Sequence, residues 1–211
     1  NTVTKTETEN TVTETENTSR NKYIYVGGYT EFEEYTRAYY DFEKLAKMTK
    51  VLANNLNEVI DINKYPVPET ELSNKRHRPL GIGVQGLADV YAMMRYPFDS
   101  KEAMQLNKEI FATIYYSAMQ KSISIAKKDG PYSSFKGSPL SEGKFQHNLW
   151  EIEPIKQVGT EEVNHKILDW DTLRSDVMEF GARNSLLTAL MPTASTSQIM
   201  GNNECIEPFT S

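Results

Sequence analysis

The chain has 211 residues, 38% of them hydrophobic, and a formal net charge of −6. That length suits one domain, or a domain with a tail, and an acidic balance argues against a surface that grips a nucleic-acid backbone. No stretch approaches the roughly 18 consecutive apolar residues of a membrane span, no signal-peptide pattern opens the chain, and a single cysteine, Cys205, excludes an internal disulfide and fits a reducing compartment, the cytoplasm by default.

Residues 1–22 repeat Thr and Glu imperfectly, from Asn1-Thr2-Val3-Thr4 to Asn10-Thr11-Val12-Thr13. Neither face of such a stretch buries enough apolar surface to offset chain entropy, so a disordered linker or insertion is expected. Residues 23–37 form a junction, with a short strand possible over Tyr23–Tyr29. Folded character begins near Tyr40. Phe42, Leu45, Ala46, Met48, Val51, Leu52, Leu56 and Val59 recur at helical spacing behind Asp41, a plausible cap. Pro66 and Pro68 then predict an extended connection. Arg78 to Asp89 reads as a tight strand or loop entering a helix that runs to about Met94.

A long helix follows, capped by Asp99 or Ser100, with Glu102 giving a box-like start. Ala103, Leu106, Ile110, Ile114 and Ala118 form its inward stripe, and Gly130-Pro131 stop it. Residues 131–168 look loop-rich. Asp171 to Phe180 is a short amphipathic helix ended by Gly181, and Ser185 to Leu190 has the length and composition of a buried strand. Helices interleaved with apolar strands predict an α/β fold.

The strand-to-helix turn over 191–200 carries the strongest local chemistry. A helix start leaves about four amides unpaired and favours an anion. Ala194 admits close backbone approach, while Ser195, Thr196 and Ser197 offer hydroxyl donors. The spacing by itself favours an ordinary Ser/Thr-rich helix cap with no ligand over an anion site.

Longer motifs add to this. Met191-Pro192-Thr193-Ala194-Ser195-Thr196-Ser197-Gln198-Ile199-Met200-Gly201-Asn202-Asn203-Glu204, continuing through Ile206-Glu207-Pro208-Phe209-Thr210-Ser211, resembles the ribonucleotide reductase large subunit. So do Asn74-Lys75-Arg76-His77-Arg78-Pro79 with Gly81-Ile82-Gly83-Val84-Gln85-Gly86-Leu87-Ala88-Asp89, and Asp61-Ile62-Asn63 with Tyr65-Pro66-Val67-Pro68. Trp170, Leu173, Gly181, Arg183 and Asn184 also follow the family's pattern, and Ala182 departs from its usual larger aliphatic residue. The resemblance covers residues 38–211 and is closest to the eukaryotic and large-DNA-virus branch.

This resemblance implies the second half of a ten-stranded α/β barrel, in which Pro192, Thr193, Ala194, Ser195 and Thr196 hold the substrate's 5′ phosphates. It implies reduction of ribonucleoside diphosphates by a thiyl-radical mechanism. The implied partners are the remainder of the large subunit (a split polypeptide being one form), a second large subunit, and a small subunit with a di-iron tyrosyl radical. Thioredoxin or glutaredoxin serves as reductant and ATP or deoxynucleotides with Mg as effectors. No cofactor, metal, nucleic acid or membrane is expected on this chain itself. The alternative is a remnant that acts as a binding or scaffold module without chemistry.

Asn203-Glu204-Cys205-Ile206-Glu207 has the N-x-C-x-E spacing of the family's radical-cysteine motif. Its neighbours match a different motif, downstream of the phosphate loop, where Ser is common. Cys205 is therefore expected to be structural, and no catalytic residue is assigned to this chain. Gly81-x-Gly83-x-x-Gly86 formally fits a dinucleotide fingerprint, but close helix packing explains it better. His77, in the basic cluster Lys75-Arg76-His77-Arg78, is expected to be solvated or to brace a loop in preference to touching nucleotide phosphates, and His147 and His165 have no partners at metal-ligand spacing. Tyr115 and Tyr116 are expected to pack in the core.

Overall fold

A computed structural model describes residues 38–160 and 163–210. The linker expected over 1–22 and the junction over 23–37 lie outside the described residues. In chain order the elements are α1 (Phe42–Ile62), α2 (Pro68–His77), α3 (Leu87–Met94) and α4 (Lys101–Asp129), then a 3-10 turn (Pro139–Glu142), α5 (Gln146–Leu149), β1 (Gln157–Thr160), β2 (Val163–Ile167), α6 (Trp170–Phe180) and α7 (Ala194–Met200).

Helix α1 starts where its cap predicts, since Asp41 Oδ1 accepts from Lys44 N at 2.8 Å. Its buried face differs from the expected stripe. Phe42, Ala46, Thr49, Ala53, Asn57 and Ile60 are buried, whereas Met48, Val51, Leu52 and Val59 are exposed. The helix packs along α4, and Ala46, Thr49 and Ala53 on the buried side let the two backbones come close.

Helix α4 begins at Ser100, whose Oγ accepts from Ala103 N at 3.1 Å, so Ser100 and not Asp99 is the cap. All five residues of the predicted stripe are buried. Helix α6 starts one residue earlier than expected, at Trp170, where Asp169 caps it by accepting from Thr172 N.

Three expectations are corrected. Pro68 does not extend the connection but opens α2, because a proline at the first helical position sacrifices no hydrogen bond. Helix α2 buries none of its residues, so it offers no apolar periodicity to find. The segment 131–168 is more ordered than its Pro and Gly content suggests: it holds the 3-10 turn, α5 and an antiparallel β1–β2 pair with Val158 fully buried.

The third correction concerns residues 185–190. They run extended and make one parallel bridge, Ile82 to Thr188. Leu80 N donates to Leu186 O, Ile82 N to Leu187 O, and Ala189 N to Ile82 O. Only Leu187 is buried, while Leu186 and Leu190 are exposed. A buried strand needs cover on both faces, and among the described residues this one has a neighbour along one edge. A helix-rich chain with one parallel pair fits part of an α/β fold.

The apolar core centres on α4 and α6. Trp170 stacks on Tyr115 at 6.2 Å and meets Tyr116 edge-on at 5.1 Å, and its Nε1 donates to Ile155 O at 2.7 Å. Both tyrosines thus pack as expected. Desolvation raises their pKa values above the ordinary range.

Candidate functional site

The turn over 191–200 is aimed by a buried polar knot beneath it. Arg78 is buried in a left-handed conformation, φ 46°. Its guanidinium donates to both Asp61 oxygens at 2.7 and 2.8 Å and to Asn57 O at 3.0 Å. Asn184, fully buried, donates from Nδ2 to Asn57 Oδ1 and Arg78 O, and its Oδ1 accepts from Asn57 Nδ2 and Ser122 Oγ. The knot ties α1, α4 and the two extended segments together before residue 185. The Arg78 hydrogen bonds hold the Asp61 carboxyl below its usual range.

Above the knot the two extended segments lie unusually close. A Cβ on Gly83 would sit 2.5 Å from Ala189 O, and one on Gly81 would meet Ala189 Cβ at 3.4 Å. The glycines Gly81 and Gly83 therefore serve close approach to the extended segment at Ala189, where helix packing was expected, and Gly86 at φ 77° lies against the Asn202 side chain.

The chain then passes Met191 and Pro192 and turns at Thr193, φ 56°, into α7. The first helical bond is Ser197 N to Thr193 O at 2.9 Å. The amides of Ala194, Ser195 and Thr196 have no hydrogen-bond partner among the described residues. The hydroxyls divide. Ser195 is exposed and unengaged among those residues. Thr196 Oγ1 donates to Gln85 Oε1 at 2.9 Å, with Thr193 O at 3.3 Å. Ser197 is fully buried, its Oγ donating to Ala194 O. Thr193 Oγ1 accepts from Cys205 N at 2.8 Å.

The segment after α7 folds back to brace the turn. Asn203 N donates to Asp89 Oδ2 at 2.7 Å, Gly86 N donates to Asn203 O at 2.9 Å, and Asn203 Nδ2 donates to Glu207 O. Cys205 is buried in a left-handed conformation, φ 39°. It lines a cleft of about 560 Å³ with Met191, Pro192, Glu204 and Glu207. Of the five residues expected to hold phosphate, Pro192 alone lines this cleft. The lining carries two carboxylates and no cation, so an anion at the turn depends on amides and hydroxyls.

Sequence reasoning found the turn but missed Gln85, Asp89 and Asn57, whose roles depend on partners more than a hundred residues away. His77 braces a loop as expected, its Nδ1 lying 2.6 Å from Ser134 Oγ and its carbonyl accepting from Ser185 N. Among the described residues no cluster of three His, Cys, Asp or Glu side chains could hold a metal ion, and no helix is long and apolar enough to cross a membrane.

The family profile described as "Ribonucleotide reductase, barrel domain" matches residues 24–211. The chain is 55% identical over 172 residues to the ribonucleoside-diphosphate reductase large subunit of Caenorhabditis elegans, and 56% identical over 175 residues to that of Trypanosoma brucei brucei. Against the large subunit of Monkeypox virus it is 52% identical over 172 residues. Each comparison takes in 82% of this chain and 21% of the relative, so the chain spans about a fifth of their length.

Proposed function

Because the chain belongs to the ribonucleotide reductase barrel-domain family, we propose that it serves as part of a ribonucleoside-diphosphate reductase large subunit and that Pro192, Thr193, Ala194, Ser195 and Thr196 hold the substrate's 5′ phosphates. The reaction replaces the 2′ hydroxyl of a ribonucleoside diphosphate with hydrogen. The observation that carries the reading is the loop itself: the family's phosphate-loop residues coincide with three consecutive amides and an exposed Ser195 hydroxyl that have no partner among the described residues.

Pro192 and the left-handed Thr193 set the direction of entry into the turn, and Ala194 leaves room for a phosphate oxygen against the backbone. Amides, and the open Ser195 hydroxyl, that need not break another bond when the anion arrives lose little entropy on binding. Cys205 has a structural role in this reading, its amide fixing Thr193. The radical-bearing cysteine and the reducing pair come from the rest of the subunit. A second large subunit, a radical-generating small subunit, thioredoxin or glutaredoxin, and nucleotide effectors complete the assembly, and a ten-stranded barrel completes the fold.

The test is steady-state kinetics on a complete subunit carrying this segment. Ser195→Ala removes one donor to a charged oxygen, worth about 1.5–3 kcal/mol, and should raise KM for a nucleoside diphosphate roughly 10- to 150-fold. Ala194→Glu should abolish saturation by placing a like charge and extra bulk at the phosphates. Cys205→Ser should leave both kcat and KM close to the parent values. An unchanged KM in both loop variants overturns the assignment, and a Cys205→Ser enzyme that binds but does not turn over would make Cys205 the radical site.

A further inference from the structure

We infer that Gln85 is a positioning residue for the loop, fixing Thr196 and setting which way its hydroxyl proton points; the inference rests on the phosphate-loop reading above. Gln85 lies 111 residues before Thr196 and reaches it from the turn that enters α3. Its backbone is held on both sides. Ile82 is paired with the extended segment over 186–189, and Gly86 N donates to Asn203 O. The carboxamide thus meets Thr196 from a fixed base and adds little ordering cost of its own.

A threonine hydroxyl has one proton and two lone pairs. With the proton given to Gln85 Oε1 at 2.9 Å, Thr196 can accept from a ligand but cannot donate to a phosphate oxygen. Gln85 Nε2, by contrast, has no hydrogen-bond partner among the described residues. Half a turn of the carboxamide exchanges the roles. Nε2 then donates to Thr196 Oγ1, and the threonine proton goes to the anion, whose charged oxygen outcompetes the neutral Thr193 carbonyl 3.3 Å away. A side chain with both an acceptor and a donor on one planar group can do this by turning in place, and glutamine is such a group. Thr196 keeps one rotamer in both states, so the loop stays shaped while its hydroxyl changes from occupied to donating.

The test uses the chain itself, with inorganic pyrophosphate as probe, followed by isothermal titration and by three-bond couplings that report the Thr196 χ1 rotamer. Gln85→Ala should weaken pyrophosphate roughly 3- to 10-fold and average the rotamer. Gln85→Glu keeps an acceptor but has no donor and adds a like charge, so it should hold the rotamer and weaken binding more than about 10-fold. In a Thr196→Ala background, Gln85→Ala should cost nothing further, because the two act as one unit. Equal losses in both backgrounds, or a Gln85→Ala chain with unchanged affinity and rotamer, would overturn the role of Gln85 alone. Folded wild-type chain that binds no pyrophosphate would instead overturn the phosphate-loop reading, and the Gln85 role with it.

Discussion

Arg78 and Ser195 show how differently two polar residues in one motif-rich chain are used. Ser195 is left open, whereas Arg78 is 4% exposed and spends its guanidinium on Asp61 and Asn57. The paired carboxylate is half-exposed, with a side-chain accessibility of 54%, so solvent screens the pair from outside while the cation cannot escape. Asp61→Asn should therefore cost about 1–2 kcal/mol at neutral pH, below the 3–5 kcal/mol typical when a fully buried pair is broken. The sign with pH follows from the lowered folded-state pKa of Asp61. Its stabilisation is fully present above the unfolded carboxylate value of about 4 and is lost as pH falls through the lower folded value. Urea melts of the two proteins should differ at pH 7 and converge in strong acid. A gap that persists unchanged there would assign the stabilisation to shape and not to charge.

At the level of elements, the pairing of residues 80–82 with 186–189 aims the turn, and Gly83 permits it. Gly83→Ala drives a methyl group to 2.5 Å from Ala189 O, which no rotamer can relieve because both atoms belong to backbone or Cβ positions. One extended segment must move, at a cost of about 1–3 kcal/mol. Gly81→Ala meets Ala189 Cβ at 3.4 Å and the Met191 Sδ and Cε at 3.8 and 3.9 Å, ordinary contacts, and should cost well under that. Thermal melts check the stability, and loss of pyrophosphate binding in Gly83→Ala but not in Gly81→Ala would tie the pairing to the turn. If both variants melt and bind alike, the close approach has no bearing on the site.

For the whole molecule, the chemistry proposed for the family needs more thiols than this chain carries. Delivering two electrons through a disulfide takes a pair of cysteines, and the sequence has one. The chain mixed with a small subunit, thioredoxin and a nucleoside diphosphate should form no deoxynucleotide. Product above background would mean that Cys205 does more than hold Thr193. Ile199 and Met200, 81% and 69% exposed on α7, leave the turn as an open ledge among the described residues. The remainder of a subunit covering these side chains would exclude water from bound phosphates and strengthen every hydrogen bond to them.

The sequence by itself determined the family, the helices α1, α3, α4 and α6, and the position of the turn. Helix periods, caps such as Asp41 and glycine stops are local signals, and the long motifs carry their identity in consecutive residues. Helix α2 escaped because a helix that buries nothing has no stripe, and Pro68 looks like a breaker until it is seen at the first helical position. Only the tertiary structure decided which hydroxyls of the turn are free. Ser195, Thr196 and Ser197 are equivalent donors in a sequence, yet Gln85 engages one, burial removes another, and Asn184, Arg78 and Asn57 hold the segment that presents them. Those partners lie 106 to 127 residues apart along the chain, and no short-range pattern encodes a hydrogen bond across that distance.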